Sequence, residues 1–316
     1  MIDFGDILLG GVLPAVVAAA AMLSGWKLTR HAGVAWLIGL SVGYLAGHWA
    51  LDARGVGFLA AVAKSFNPHE ARDWLPLAVV SAAAIEAIAL LGKRGATLAW
   101  VLRVAGCLVL PWRLLAGSVY LPSMAQNVDF DTGAWSTLEA SAWLGGVGGL
   151  LALVWLALLN VPEQTLPRLR SSLATFVTLG ATATITLSGS LTIGQLMGVL
   201  TAVLVGCGVA AAALRLESGP ESAAGPLLAA YGGVLVIARF LFEPELPLYY
   251  AAMLLLALIA AVGRISPPTR LSARVHALVR IVLCVAALAL TALPAARDFA
   301  ASQAQSESNP YLNFQP

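Results

Sequence analysis

Charge is what this sequence has least of. Asp, Glu, Lys and Arg make up only 11% of its 316 residues, against about 25% in a soluble domain. That leaves too little polar surface to cover a water-soluble body of this size. The net charge of +2 is too small to draw nucleic acid, and none is expected as a partner. The three cysteines, Cys107, Cys207 and Cys284, all fall inside apolar runs. Their spacing matches no metal or redox motif, so each reads as a small buried packing residue. The four histidines, His31, His48, His69 and His276, are scattered without ligand spacing, and no metal or cofactor is expected. There is no P-loop, no G-x-S-x-G and no H-E-x-x-H. The stretch from Asn127 to Gly133 resembles the start of an EF-hand through Asp129 and Asp131. Thr132, however, stands where the loop requires glycine, and no Glu follows at its twelfth position. Asp3 and Asp6, with no basic residue, precede the first apolar run, which therefore reads as a first span rather than a cleavable signal.

What the chain has is apolar length. Hydrophobic residues make up 59% and mean hydropathy is +0.86. The apolar segments are 7–26, 34–49, 74–91, 97–115 and 135–159, then 173–187, 191–214, 227–241, 248–262 and 275–293. A helix crossing a hydrocarbon core of about 30 Å needs roughly 20 residues, so the shorter second-half runs must borrow flanking ones. The runs are continuous rather than alternating, which excludes a strand barrel. The expected fold class is an all-α integral membrane protein, a bundle of about ten transmembrane helices. Residues 1–294 form the membrane domain, and the Ser-, Gln- and Ala-rich 295–316 a flexible non-cytoplasmic tail. Val56, Phe58, Leu59 and Val62, ahead of Lys64, point to a short helix lying in the interface.

Orientation follows from the basic residues. Lys27, Arg30, Lys93, Arg94, Arg168, Arg170, Arg215, Arg264, Arg270, Arg274 and Arg280 fall on one side. Arg54, Lys64, Arg72, Arg113 and Arg297 fall on the other. The positive-inside rule then places the first side in the cytoplasm and both termini outside, in a plasma (inner) membrane. This requires 173–214 to cross twice, breaking at Ser188-Gly189-Ser190. Trp26, Trp49, Trp74, Trp112 and Trp135 sit at span ends, as interfacial anchors do. The segment from Arg264 to Arg280, with Pro267 and Pro268, reads as a basic stretch meeting anionic lipid.

Ten spans divide into five plus five of opposite orientation, 1–160 and 161–294, the plan of many inverted-repeat transporters. The second span carries Ala35, Gly39, Gly43 and Gly47; its counterpart carries Gly194, Gly198, Ala202, Gly206 and Ala210. Small residues at this spacing let helix backbones approach closely.

Ionisable residues inside a membrane each need a reason. Glu86 and Arg103 lie eight and nine residues either side of Arg94, in the loop between the third and fourth spans. In an antiparallel hairpin both therefore sit about 9 Å inside the boundary, at about 1.5 Å per residue. They are expected to pair, either as a structural lock or as a gate whose carboxylate releases its partner. A second group, His48, Arg113, Glu139, Arg239, Glu243 and Glu245, lies near the outer surface. Each alone reads as an interfacial side chain reaching for water; converging, they would form an outer vestibule. Thr175, Thr178, Thr182 and Thr186, with Ser188 and Ser190, form a hydroxyl stripe. Such hydroxyls bond back to their own helix or join neighbouring helices; alternatively they line a polar path broken at Gly189.

The leading functional expectation is a small-solute transporter or permease. A non-catalytic membrane scaffold or accessory subunit is the alternative, and a lipid-processing enzyme using Asp129 and Asp131 the third. The expected surroundings are the lipid bilayer and a small-molecule solute.

Overall fold

A computed structural model describes residues 4–121, 134–159, 167–242, 245–263 and 272–308. Among them the architecture is all-helical, with only an isolated bridge between Ala116 and Leu121. Eleven helices follow one another: α1 (Leu8–Thr29), α2 (Ala32–Val56), α3 (Phe58–Phe66), α4 (Trp74–Ala89), α5 (Lys93–Leu115), α6 (Thr137–Leu159), α7 (Pro167–Leu187), α8 (Leu191–Leu214), α9 (Ala224–Phe240), α10 (Leu248–Val262) and α11 (Ala273–Ser308). Seven of them (α1, α2, α5, α6, α8, α9 and α11) contain a stretch long and apolar enough to cross a membrane. The chain is thus a multi-pass helical membrane protein. Each of the ten apolar segments coincides with a helix, α4 and α10 being the shorter ones at 16 and 15 residues, and α3 is the short amphipathic one. It turns Ala61 and Ser65 inward, where Ser65 accepts a 2.9 Å hydrogen bond from the Trp49 indole, and leaves Phe58, Leu59 and Phe66 exposed.

The break between α7 and α8 falls at Gly189, whose φ of +104° is open to glycine and strained for other residues. Ser188-Gly189-Ser190 therefore ends one helix and starts the next. α11 runs on past Pro294 to Ser308, so the segment read as a flexible tail is helical that far. Ala295, Ala296, Ala300 and Ala301 favour helix and carry it on beyond Pro294, where a backbone hydrogen bond is lost.

α9 is the central rod, with every residue from Ala224 to Ala238 buried. It packs against α4, α5 and α6 on one flank and α8, α2 and α10 on the other. Glycine makes this possible: a Cβ on Gly233 would lie 2.5 Å from Leu75 and one on Gly225 2.6 Å from the Trp155 ring. The stripe on α2 works the same way. Gly39, Gly43 and Gly47 seat α2 on Ala18, Met22 and Pro14 of α1 and on Cys207, Val203 and Val199 of α8. On α8, Gly206 lies so close to the Ala15 carbonyl that a Cβ would stand 2.0 Å from its oxygen. Lipid gives apolar helices no hydrophobic drive to associate, so this backbone approach is what holds the seam.

Candidate functional site

Four places bring polar side chains together inside the bundle. The first is the expected pair. Arg103 donates to Glu86 Oε2 at 2.6 Å, and the Trp155 indole on α6 donates to Glu86 Oε1 at 2.7 Å. The Arg103 guanidinium also lies over the Trp155 ring, 5.9 Å from its centre. Glu86 is 7% exposed, and Gly225 of α9 leaves room for it, since a Cβ there would lie 3.1 Å from Glu86 Cγ. Both carboxylate oxygens are occupied, so this is a three-helix lock of α4, α5 and α6. Trp155 was not singled out from the sequence. Its signal was an indole N–H away from a span end, which requires a buried acceptor.

The second place is one face of α2, which carries Ser41, Tyr44, His48 and Asp52. These residues, spaced three, four and four apart, lie opposite the glycine stripe. His48 Nε2 is 3.6 Å from Asp52, and Arg72 is 3.8 Å from the other Asp52 oxygen. Asp73 beside them accepts the backbone N–H groups of His69 and Glu70. The Ser41 and Tyr44 hydroxyls, both ring nitrogens of His48 and one Asp73 oxygen are buried with no hydrogen-bond partner among the described residues. Buried polar atoms are nearly always satisfied, and ordered water is the usual partner when protein is not.

The third place is the opposite end of the bundle. Arg170 pairs with Glu221 at 2.8 Å. Arg280 caps α10, donating to the carbonyls of Ala260 at 3.1 Å, Ala261 at 3.3 Å and Gly263 at 2.7 Å. Arg280 is 2% exposed, which corrects its reading as part of a lipid-facing basic stretch. A cation at a helix C-terminus meets the negative end of the helix dipole and satisfies carbonyls left without helical partners. Residues 264–271 of that stretch lie outside the described residues.

The expected outer group is distributed rather than gathered. Arg239 pairs with Glu245, which also accepts the Tyr120 hydroxyl. Around them Tyr120 lies tilted against Trp135 at 4.8 Å, with Trp143 stacked on Trp135 and Phe240 edge-on to it. Glu139 instead accepts from the Ser136 N–H and hydroxyl, both at 2.9 Å, and caps α6. Arg113 lies over Trp74 and Trp112, and His48 belongs to the α2 face. Glu243 lies outside the described residues, as do Asp129 and Asp131. Among the described residues of this group Arg239 and Glu245 meet, whereas Glu139 is held at its own helix end and Arg113 by Trp74 and Trp112.

Tyr120 and then Arg239 hold the Glu245 carboxyl below its ordinary range. A depressed carboxyl contributes stability that is present above its unfolded value and lost as pH falls through the folded one. Tryptophan emission from the Trp135 cluster should therefore stay constant from neutral into mildly acidic pH and shift only below the usual Glu range. Glu245→Gln should remove that transition; its persistence would assign it to another group.

The fourth place is the hydroxyl stripe, which lies along the α7–α8 interface. Thr175, Thr178, Thr182 and Ser188 each donate to a carbonyl three or four residues back. Thr182 also lies 3.4 Å from Thr201 of α8, and Thr184 lies 3.4 Å from Thr291 of α11. Thr186 faces Gly194 across the tight turn, and Ser190 Oγ is buried without a partner. Two cavities lie at opposite ends of α8, and the second of them is bordered by α7 as well. One, of about 480 Å³, is bordered by Glu70, Arg72, Ser118, Thr192 and Ile193. The other, of about 460 Å³, is bordered by Arg168, Ser171, Thr175, Leu204 and Ser218. Ile193 and Leu204 are eleven residues apart on α8, so about 16 Å of closed packing separates the cavities at about 1.5 Å per residue.

No cluster of three or more His, Cys, Asp or Glu able to hold a metal occurs among the described residues. Comparison with known protein families and with curated proteins finds no match.

Proposed function

We propose that the chain is a small-solute transporter whose permeation path follows the α7–α8 interface, and that the structure describes its closed state. The observation carrying this reading is the pair of polar-lipped cavities at the two ends of α8, with the hydroxyl stripe between them. The hydroxyl protons are already donated to backbone carbonyls, which leaves oxygen lone pairs free. The stripe thus offers acceptors and suits small polar solutes that bring hydrogen-bond donors. The Glu86–Arg103–Trp155 lock holds the neighbouring helices as a fixed frame.

Ten crossings and a five-plus-five plan accompany this proposal. Each half begins with a tight hairpin, α1–α2 and α7–α8. The pairs that an inverted axis would relate to themselves, α2 with α8 and α4 with α9, are in contact. The remaining packing differs, since α7 lies on α10 and α11 whereas α1 lies on α8. The basic bias assigns the Arg170 end to the cytoplasm and both termini to the outside of a plasma membrane. A second reading, a membrane scaffold or accessory subunit, rests on the complete burial of α9, which leaves no cavity through the bundle centre.

Flux decides between them. Proteoliposomes should take up small neutral donors such as urea or glycerol faster than protein-free vesicles. Thr182→Val with Thr201→Val should cut that excess about tenfold, the loss from about 1.4 kcal/mol of barrier. Uptake equal to empty vesicles for neutral, cationic and anionic solutes alike would favour the scaffold.

A further inference from the structure

A groove sinks between α4 and α5 on the bundle's outer wall, away from both cavities described above. Its sides are Ala78 and Ser81 of α4 and Gly106 and Leu110 of α5, and its floor is Leu151 and Trp155. The small residues on the two walls leave the gap open: a Cβ on Gly106 would still be 3.7 Å from the nearest atom, Ile85 Cδ1. Val109, which lines it, is 47% exposed and Ser81 is exposed as well, so the groove faces what surrounds the bundle. It holds about 290 Å³.

Three observations name the occupant. The lining is apolar apart from Ser81 and Arg113, and water needs two to four polar partners to stay. Along α4 the lining runs from Trp74 to Ile85, eleven residues or about 16 Å, roughly half of a 30 Å hydrocarbon core and so one leaflet deep. At the mouth sits Arg113, stacked 4.9 Å from Trp74 and 4.6 Å from Trp112, with no carboxylate partner among the described residues.

We propose that this groove is a phospholipid site, taking one acyl chain of an anionic phospholipid with its phosphate on Arg113. The tryptophans hold the guanidinium at the headgroup level, where aromatic rings favour the interface and arginine meets phosphate through a planar pair of donors. Ordered lipid here would fill the wall between α4 and α5 directly beside the Trp155 end of the Glu86 lock.

The test uses the full chain purified in mild detergent, with bound phospholipid measured by native mass spectrometry. The wild type should retain a stoichiometric phospholipid, which Gly106→Phe, filling the groove from α5, should release. Ser81→Phe fills it from α4 and serves if the first variant is not monodisperse. Arg113→Gln changes an exposed side chain; in nanodiscs of phosphatidylglycerol and phosphatidylcholine it should lower the preference for the anionic lipid about fivefold, the equivalent of about 1 kcal/mol per interfacial arginine. Wild type without retained lipid would overturn the proposal, as would retention unchanged in the filled variants or an unchanged preference in Arg113→Gln. Conversion of a dimer to a monomer by the filled variants, with no change in lipid, would assign the groove to a second copy of the chain.

Discussion

Glu86→Ala should destabilise the bundle by about 3–5 kcal/mol, the cost of leaving a buried partner charge uncompensated. Arg103 would lose the acceptor 2.6 Å away and Trp155 the one at 2.7 Å, both at a carboxylate that is 7% exposed. Glu86→Gln keeps an oxygen for the indole but not the negative charge, so its loss should be smaller. The charge swap, Glu86→Arg with Arg103→Glu, should recover the ion pair but only part of the stability, because an arginine at 86 cannot accept from Trp155. Thermal unfolding in detergent, followed by tryptophan fluorescence, ranks the four proteins. Equal melting temperatures for wild type and Glu86→Ala would remove the lock from this account. Full recovery in the swap would mean that the Trp155 bond contributes nothing.

Gly206→Val should be the second large effect. A Cβ at 206 would meet the Ala15 carbonyl oxygen at 2.0 Å, and backbone cannot move aside as a flexible side chain would. Overpacking costs about 1–3 kcal/mol where side chains can shift, so this site should lie at the upper end or fail to assemble. Gly198 on the same helix is the control. A Cβ there would meet only Thr182 Cγ2 at 3.7 Å, so Gly198→Ala should be neutral or gain up to about 1 kcal/mol of helix propensity. Melting temperatures compare the two; a tolerated Gly206→Val would show that α1 and α8 are not held by backbone contact.

Length and polarity carried most of the fold into the sequence. Apolar runs placed ten helices, seven of them long and apolar enough to cross a membrane, and Phe58 and Leu59 ahead of Lys64 placed α3. The Glu86–Arg103 pair was legible because a short hairpin loop fixes relative depth without any tertiary information. Trp155 joins that pair from a third helix, and no local pattern states which helix that will be. Arg280 was misplaced for a related reason. Counting basic residues by loop ignores direction, although Leu278 and Val279 before it and Ile281 and Val282 after it marked a position inside an apolar run. Only His48 of the α2 face was singled out, whereas the spacing of Ser41, Tyr44 and Asp52 about it places all four on one side of the helix. Similar depth is not contact: of the outer group, Arg239 and Glu245 meet, whereas Arg113 lies over Trp74 and Trp112 and Glu139 caps α6.

The transport path is tested most directly by accessibility at its midpoint. With Cys107, Cys207 and Cys284 replaced by alanine, Thr201→Cys in proteoliposomes would be treated with a small membrane-impermeant thiol reagent from each side in turn. A path along the α7–α8 interface predicts that this thiol reacts from both sides, and faster than Ala287→Cys on α11. A thiol at 201 as unreactive from either side as one at 287 would contradict it.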